Sequence, residues 1–430
     1  MNIAKGSITI LFASSFSTIA EMLIARILGP EQKGIYDPIR AYTLLFFTLG
    51  YLSLNVSFLS LFKKRKYTIG EFSGTALFYG LFIGGFLYLL FLASFFFSHG
   101  SFYKNLPFNY LALNFTLLPL ILLMTFFSSI LQASGNIYGY NLTRYSLQAF
   151  KLLFVILFLV IFKFSVAGVI CAFILGYIAS VLVSSFYINK ECPLREWSVN
   201  TDLLKNSLRD SLKLHIGSIA VFIFTKINII MLNHMSTKTE TGYYSTMVAL
   251  ATGLFLIPQA IQAILYPRTG KDETDKQMED IIVKVSRHAF YITLIAGIIL
   301  AILSKYAVML YGGSSYLPGL SSLLILLPGV ILQSITVVLS VLWVRKGLFS
   351  LLSVVAILNA CLNVVLNLIL IPKMGINGAA IATTITYSFN LIMHFIMCKK
   401  YTDKKISELF IIKRDDVFYY KRLALRALNK

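Results

Sequence analysis

The sequence predicts an all-α integral membrane protein: twelve transmembrane helices in two pseudo-symmetric six-helix lobes around a central cleft. Three observations carry this. Hydrophobic residues make up 57% of the 430 and charged residues only 13%, with a mean hydropathy of +0.78. Apolar segments of about 20 residues, each long enough to cross a hydrocarbon core of roughly 30 Å, recur from end to end. Finally, the two halves repeat at an offset of 204–210 residues. Leu118-Pro119 precedes Gly168 as Leu327-Pro328 precedes Gly378, and Gly34-Ile35-Tyr36 matches Gly242-Tyr243-Tyr244.

The spans fall near 7–28, 38–62, 73–98, 108–132, 142–163, 166–188, 212–234, 243–267, 284–311, 318–344, 350–371 and 376–398. The first apolar run lacks an A-x-A-like site, so it reads as a span and not as a cleavable leader. Six spans per half is even. The repeats therefore run parallel, related by an axis along the membrane normal, with the default ligand site at the midplane between them. The resulting units are a lobe over 1–188, a linker over 189–211, a second lobe over 212–398 and a basic tail over 399–430. Within the linker, 202–212 suits a helix lying on the membrane surface.

Lysine and arginine sort by side. Lys63–Lys66, Lys190, Arg195, Lys205, Arg209, Arg268, Lys271, Lys276, Arg345, Lys346 and the tail share one face. The other keeps scattered charges such as Lys33, Lys104 and Lys238. The positive-inside rule puts both termini in the cytoplasm. A net charge of +20 fits this bias and contact with anionic lipid better than nucleic acid. The four cysteines have no metal spacing, and no nucleotide loop or nucleophile–base arrangement stands out, so neither a cofactor nor catalysis is expected.

A few polar residues lie too deep to be incidental. Lys226 sits near the middle of span seven, where a charge costs about 2.5–3.5 kcal/mol and normally faces a bundle interior or wet cavity. In span five, Asn141, Arg144, Gln148 and Lys151 are spaced three, four, three and so line one helix face. Two cations and two amides in a row suit an anionic, sugar-bearing ligand: charge for phosphate, amides for hydroxyls. Arg144 can equally snorkel to the surface. Glu21, at matching depth in span one, is the obvious ion-pair partner for Lys226; a buried carboxylate can also couple transport to a proton or Na⁺. Arg26 and Arg40 flank the outer end of the cleft and Arg268 its inner end, as ligands or as interfacial residues. Asn359, Asn363 and Asn367 share a face of span eleven, lining a site or serving as packing glue. Pro119, Pro258 and Pro328 should kink their spans.

Ala25-Arg26-Ile27-Leu28-Gly29-Pro30-Glu31 followed by Gly34-Ile35-Tyr36 resembles the first-loop signature of Wzx-type polysaccharide flippases. These belong to the multidrug/oligosaccharidyl-lipid/polysaccharide exporter superfamily. Phe255-Leu256-Ile257-Pro258 with Leu265-Tyr266-Pro267-Arg268 is similar to their eighth span, and Asn363 to Asn367 through Gly375–Thr383 to their eleventh-to-twelfth turn. The resemblance implies two lobes around a cationic cavity in the bacterial cytoplasmic membrane. It implies transfer of an undecaprenyl-pyrophosphate-linked oligosaccharide between leaflets for O-antigen or capsule, beside a polysaccharide polymerase and chain-length regulator. The positions that fit its cavity cations are Arg144, Lys151, Lys226, Arg26 and Arg268.

Two other readings stay open. A cation-coupled multidrug exporter would use Glu21, but the excess of cations favours an anionic cargo. A membrane enzyme such as a glycan polymerase needs a catalytic surface outside the membrane, and the outer loops are short.

Overall fold

The computed structural model describes residues 3–265 and 275–411, and every regular element among them is helical. Ten helical runs are long and apolar enough to cross a membrane. Two of them double back, which brings the spans among the described residues to twelve. The first reversal is at Gly29, whose φ of +68° lies in the left-handed region that glycine adopts freely. Pro30 follows, with a φ already suited to a first helical turn. A contact proves the reversal: the side chains of Glu21 and Arg40, 19 residues apart, meet at 2.8 Å. A straight helix would hold those residues about 28 Å apart. Gly375, with φ +53°, performs the same turn between spans eleven and twelve, and Asn359 meets Asn390 at 2.9 Å.

Residues 3–28 form span one; 30–51 and Leu54–Lys63 form span two. Spans three to six are Ile69–Phe97, Phe108–Ala133, Ile137–Ile161 and Val166–Glu191. Span seven is Thr201–Met235, span eight Lys238–Leu265, and span nine Asp275–Ile302 continued by Ser304–Tyr311. Span ten is Leu320–Arg345; 349–374 and 376–401 are spans eleven and twelve. The stretch 202–212 is not a separate surface helix. It continues span seven, because Leu203, Ser207 and Ser211 are buried and hold it against the first lobe.

Helix starts follow local chemistry. Thr68 and Glu71 form a reciprocal capping box at span three. Asn200 caps span seven, and its amide also donates to Glu71 at 2.6 Å, tying the two starts together. The prolines act unequally. Pro119 and Pro258 each lie in the first turn of a helical segment, after breaks at Thr116 and at 253–255, where a missing N–H costs nothing. Pro328 lies inside unbroken span ten. Span two is interrupted at Leu52 and Ser53, both with positive φ and neither a glycine.

Each lobe has its own apolar core. Aromatic rings fill the first, with Phe91 stacked on Phe115 at 4.0 Å. Small residues let helices close up: Gly84 rests on Pro119 and Gly329 on Thr384.

Candidate functional site

The lobes meet through spans one and two on one side and seven and eight on the other. They come into tight backbone contact at a crossing of two glycines, Gly34 and Gly242. A methyl group on Gly34 would overlap the Lys238 carbonyl, and one on Gly242 would overlap the Pro30 carbonyl. These four positions are repeat partners, 30 with 238 and 34 with 242, so the crossing lies on the pseudo-two-fold axis. Around it, Tyr316 donates to Ala25 O at 3.1 Å and Asn233 to Lys104 O at 2.7 Å. This end of the interface is closed.

Beyond the crossing, toward the basic face, the lobes part around a cavity of about 480 Å³. Its walls repeat as well. Thr18 and Lys226, Glu21 and Ile229, Asp37 and Ser245, Arg40 and Val248, and Leu44 and Thr252 all line it, each pair 208 residues apart. The shape is two-fold but the chemistry is not. The first lobe contributes Glu21, Lys33, Asp37 and Arg40. The second contributes small and apolar side chains, three hydroxyls (Ser245, Thr252 and Tyr311) and one charge, Lys226.

Four of these charges form a cluster. Arg40 Nη1 donates to Glu21 Oε1 at 2.8 Å. Lys33 Nζ lies 3.8 Å from Glu21 and 2.8 Å from Asp37, one turn further along span two. Lys151 is buried and donates to Ser17 Oγ at 3.0 Å. Ser17 is one turn from Glu21, so this ammonium sits just below the cluster. The Phe173 ring contacts two of the cations, with Arg40 Cζ 5.3 Å and Lys151 Nζ 4.9 Å from its centroid. Such contacts are favourable by about 0.5–2 kcal/mol and soften the repulsion between like charges. Lys226 faces the cavity with no hydrogen bond or ion pair among the described residues.

The other expected site residues lie elsewhere. Arg26 donates to the carbonyls of Leu310 and Met309 at 2.9 and 3.2 Å, capping the helix Ser304–Tyr311 across the lobe interface. Arg144 is exposed and donates to Tyr140 Oη one turn away at 2.7 Å. The Gln148 side-chain oxygen is buried without a hydrogen-bond partner among the described residues. Arg268 lies outside the described residues. Asn359 and Asn363 are buried within the second lobe. There Asn359 bonds Asn390, Asn363 faces Thr386, and Asn367 reaches Asn363 and Asn228. Asn228 in turn donates to Tyr244 and Thr383. Asn367→Ala would leave several of these groups unpaired, at about 1–3 kcal/mol. A clear fall in the melting temperature of the detergent-solubilised protein is expected; an unchanged one would deny the network its role as glue.

Glu21 and Lys226 stand out in the sequence and line the cavity, whereas two members of the charge cluster do not stand out. Lys33 reads as a scattered outer charge and Arg40 as a rim residue, yet both lie in the cavity with Glu21. The Lys33–Asp37 spacing of four was the available signal for a helical ion pair.

A family model described as "Polysaccharide biosynthesis protein" matches residues 3–271. Among curated proteins, the chain is 24% identical over 207 residues to a probable low-salt glycan biosynthesis flippase of Haloferax volcanii. That match covers 46% of this chain and 44% of the relative, less than half its length. Among solved structures, the lipid II flippase MurJ in an inward closed conformation superposes with a TM-score of 0.77 at 15% identity, over 94% of this chain and 89% of that one. An inward-facing multidrug resistance transporter of the MOP superfamily gives 0.73 at 13%, over 90% and 94%. These two likenesses establish the fold.

Proposed function

The chain belongs to the polysaccharide biosynthesis protein family, and on that basis we propose that it carries an undecaprenyl-pyrophosphate-linked oligosaccharide across a bacterial cytoplasmic membrane. It is a multi-pass membrane protein with the fold of MOP-superfamily transporters and flippases. The observation that carries the finer reading is the charge balance of the cavity. Lys33, Arg40, Lys151 and Lys226 face or adjoin it, against the carboxylates of Glu21 and Asp37. Four cations against two anions leave two positive charges. A pyrophosphate linked at both ends carries two negative charges, so ligand and site neutralise one another. The hydroxyls of Ser245 and Thr252 on the opposite wall suit a sugar.

In this reading the basic face is cytoplasmic, both termini lie there, and the glycine crossing closes the outer end. The ligand enters from the cytoplasmic side. Rocking of the lobes then opens the outer end, the alternating-access scheme natural to paired repeats. The glycan would belong to O-antigen or capsule, with a polymerase and chain-length regulator acting downstream. Arg26 then serves the closed outer end and Arg144 the cytoplasmic rim.

Lys226→Ala and Lys151→Ala are each expected to abolish complementation of a flippase-null strain at unchanged protein level. Full activity in both would overturn the cationic-cavity mechanism. A drug exporter for cations would need an unpaired carboxylate, whereas Glu21 and Asp37 are both bound by cations. Glu21-dependent efflux of a cationic dye would revive that alternative.

A further inference from the structure

We propose that Glu21 is a built-in stand-in for the ligand's phosphate, neutralising Arg40 while the carrier is empty and giving it up when the carrier is loaded. This rests on the reading above for the ligand's charge, and on geometry for the rest. Glu21 Oε1 sits 2.8 Å from Arg40 Nη1, the separation and direction a phosphate oxygen would take. The Arg40 side chain keeps 40% of its surface open to the cavity, against 16% for Glu21. The cation therefore faces the incoming ligand and the carboxylate lies behind it.

A carrier that alternates must also return empty. During that return the cavity is closed at both ends, and an uncompensated guanidinium there would be expensive. The paired carboxylate removes that cost. When an anionic headgroup arrives, two negative groups compete for one guanidinium, and their repulsion favours release of the carboxylate. A second cation lies close by: Lys151 stands on Ser17, one turn along span one from Glu21. With Glu21 turned to Lys151 and Lys33 on Asp37, Arg40 and Lys226 are left for the two charges of the headgroup. Every charge then has a partner in the loaded state, whereas in the empty one Arg40 and Lys33 are paired, Lys151 rests on Ser17 and Lys226 faces the cavity. A carboxylate in this role regulates return and takes no direct part in holding the ligand.

The test uses the full-length protein in liposomes. Binding is measured with inorganic pyrophosphate. Movement is measured with a fluorescent short-chain polyprenyl pyrophosphate, as net transfer from one loaded leaflet and as exchange between two loaded leaflets. Glu21→Gln should bind pyrophosphate more tightly, on the order of tenfold. It should keep exchange at the wild-type rate and lose net transfer, because only net transfer needs the empty return. Glu21→Asp, which keeps the charge with a shorter reach, should bind with intermediate strength and recover part of net transfer; it serves as the measurement if Glu21→Gln does not fold. Binding no tighter than wild type, loss of exchange together with net transfer, or wild-type net transfer in Glu21→Gln would each overturn the proposal. If the wild type moves none of the lipid while the binding contrast holds, the counter-anion role stands and the pyrophosphate-lipid cargo falls.

Discussion

Arg40→Ala is expected to abolish transport while costing the fold little. Arg40 lines the cavity with its side chain partly open and donates to a carboxylate, whereas Lys33, paired with Asp37, is buried. Removal of Arg40 takes away a planar donor suited to a phosphate and leaves Glu21 with Lys33 at 3.8 Å. Breaking one side of a fully buried ion pair costs about 3–5 kcal/mol. Here the Arg40 side chain is 40% exposed to a cavity, so solvent screening brings the figure toward about 1 kcal/mol. The expected result is thus a small fall in melting temperature with complete loss of complementation. Arg40→Lys should recover little, because an ammonium lacks the flat, forked donor set that grips a phosphate and stacks on an aromatic ring. The double variant Glu21→Ala/Arg40→Ala separates the two roles. It should regain the melting temperature lost by Arg40→Ala, since no carboxylate is stranded, and should still fail to transport. Transport in the double variant would mean that Arg40 only neutralises Glu21 and takes no part in holding the ligand.

Hydrophobic patterning was enough to read the twelve spans and the parallel repeat, because span length and repeat offset are one-dimensional properties. The wall positions that pair 208 residues apart are the same repeat seen in space. The depth of Lys151 and Lys226 was legible for the same reason. Partner choice was not. Glu21 and Lys226 share a depth, yet Glu21 pairs with Arg40 and Lys33. The turn at Gly29 lays the start of span two back along span one, and no periodicity encodes that fold-back. The span-eleven asparagines show the converse limit. A polar stripe at steps of four looks the same whether it meets water or another helix. Here it meets Asn228 and Thr386 inside one lobe. The break at Leu52 and Ser53 carries neither glycine nor proline and left no mark in the sequence.

Gly34→Ala is expected to prevent the outer end from closing. At this crossing the added methyl would meet the backbone of span eight: the Lys238 carbonyl, and the Gly242 nitrogen at 3.0 Å. A backbone cannot rotate aside as a side chain can, so the helices must separate or the closed arrangement must be abandoned. Gly242→Ala places its methyl on the Pro30 carbonyl and the Gly34 nitrogen from the opposite direction, so it should act the same way. Because both variants fill one shared gap, their effects should not add, in contrast to variants at separate sites. Accessibility provides the readout. With the native cysteines replaced, Ser245→Cys places a thiol on the cavity wall. In the Gly34 background a membrane-impermeant reagent added outside should leave it largely unlabelled. In the Gly34→Ala background labelling should rise at least several-fold and complementation should be lost. Unchanged labelling with intact transport would show that the crossing is not the seal. Labelling that rises while transport survives would mean that closure at this end is dispensable for the cycle.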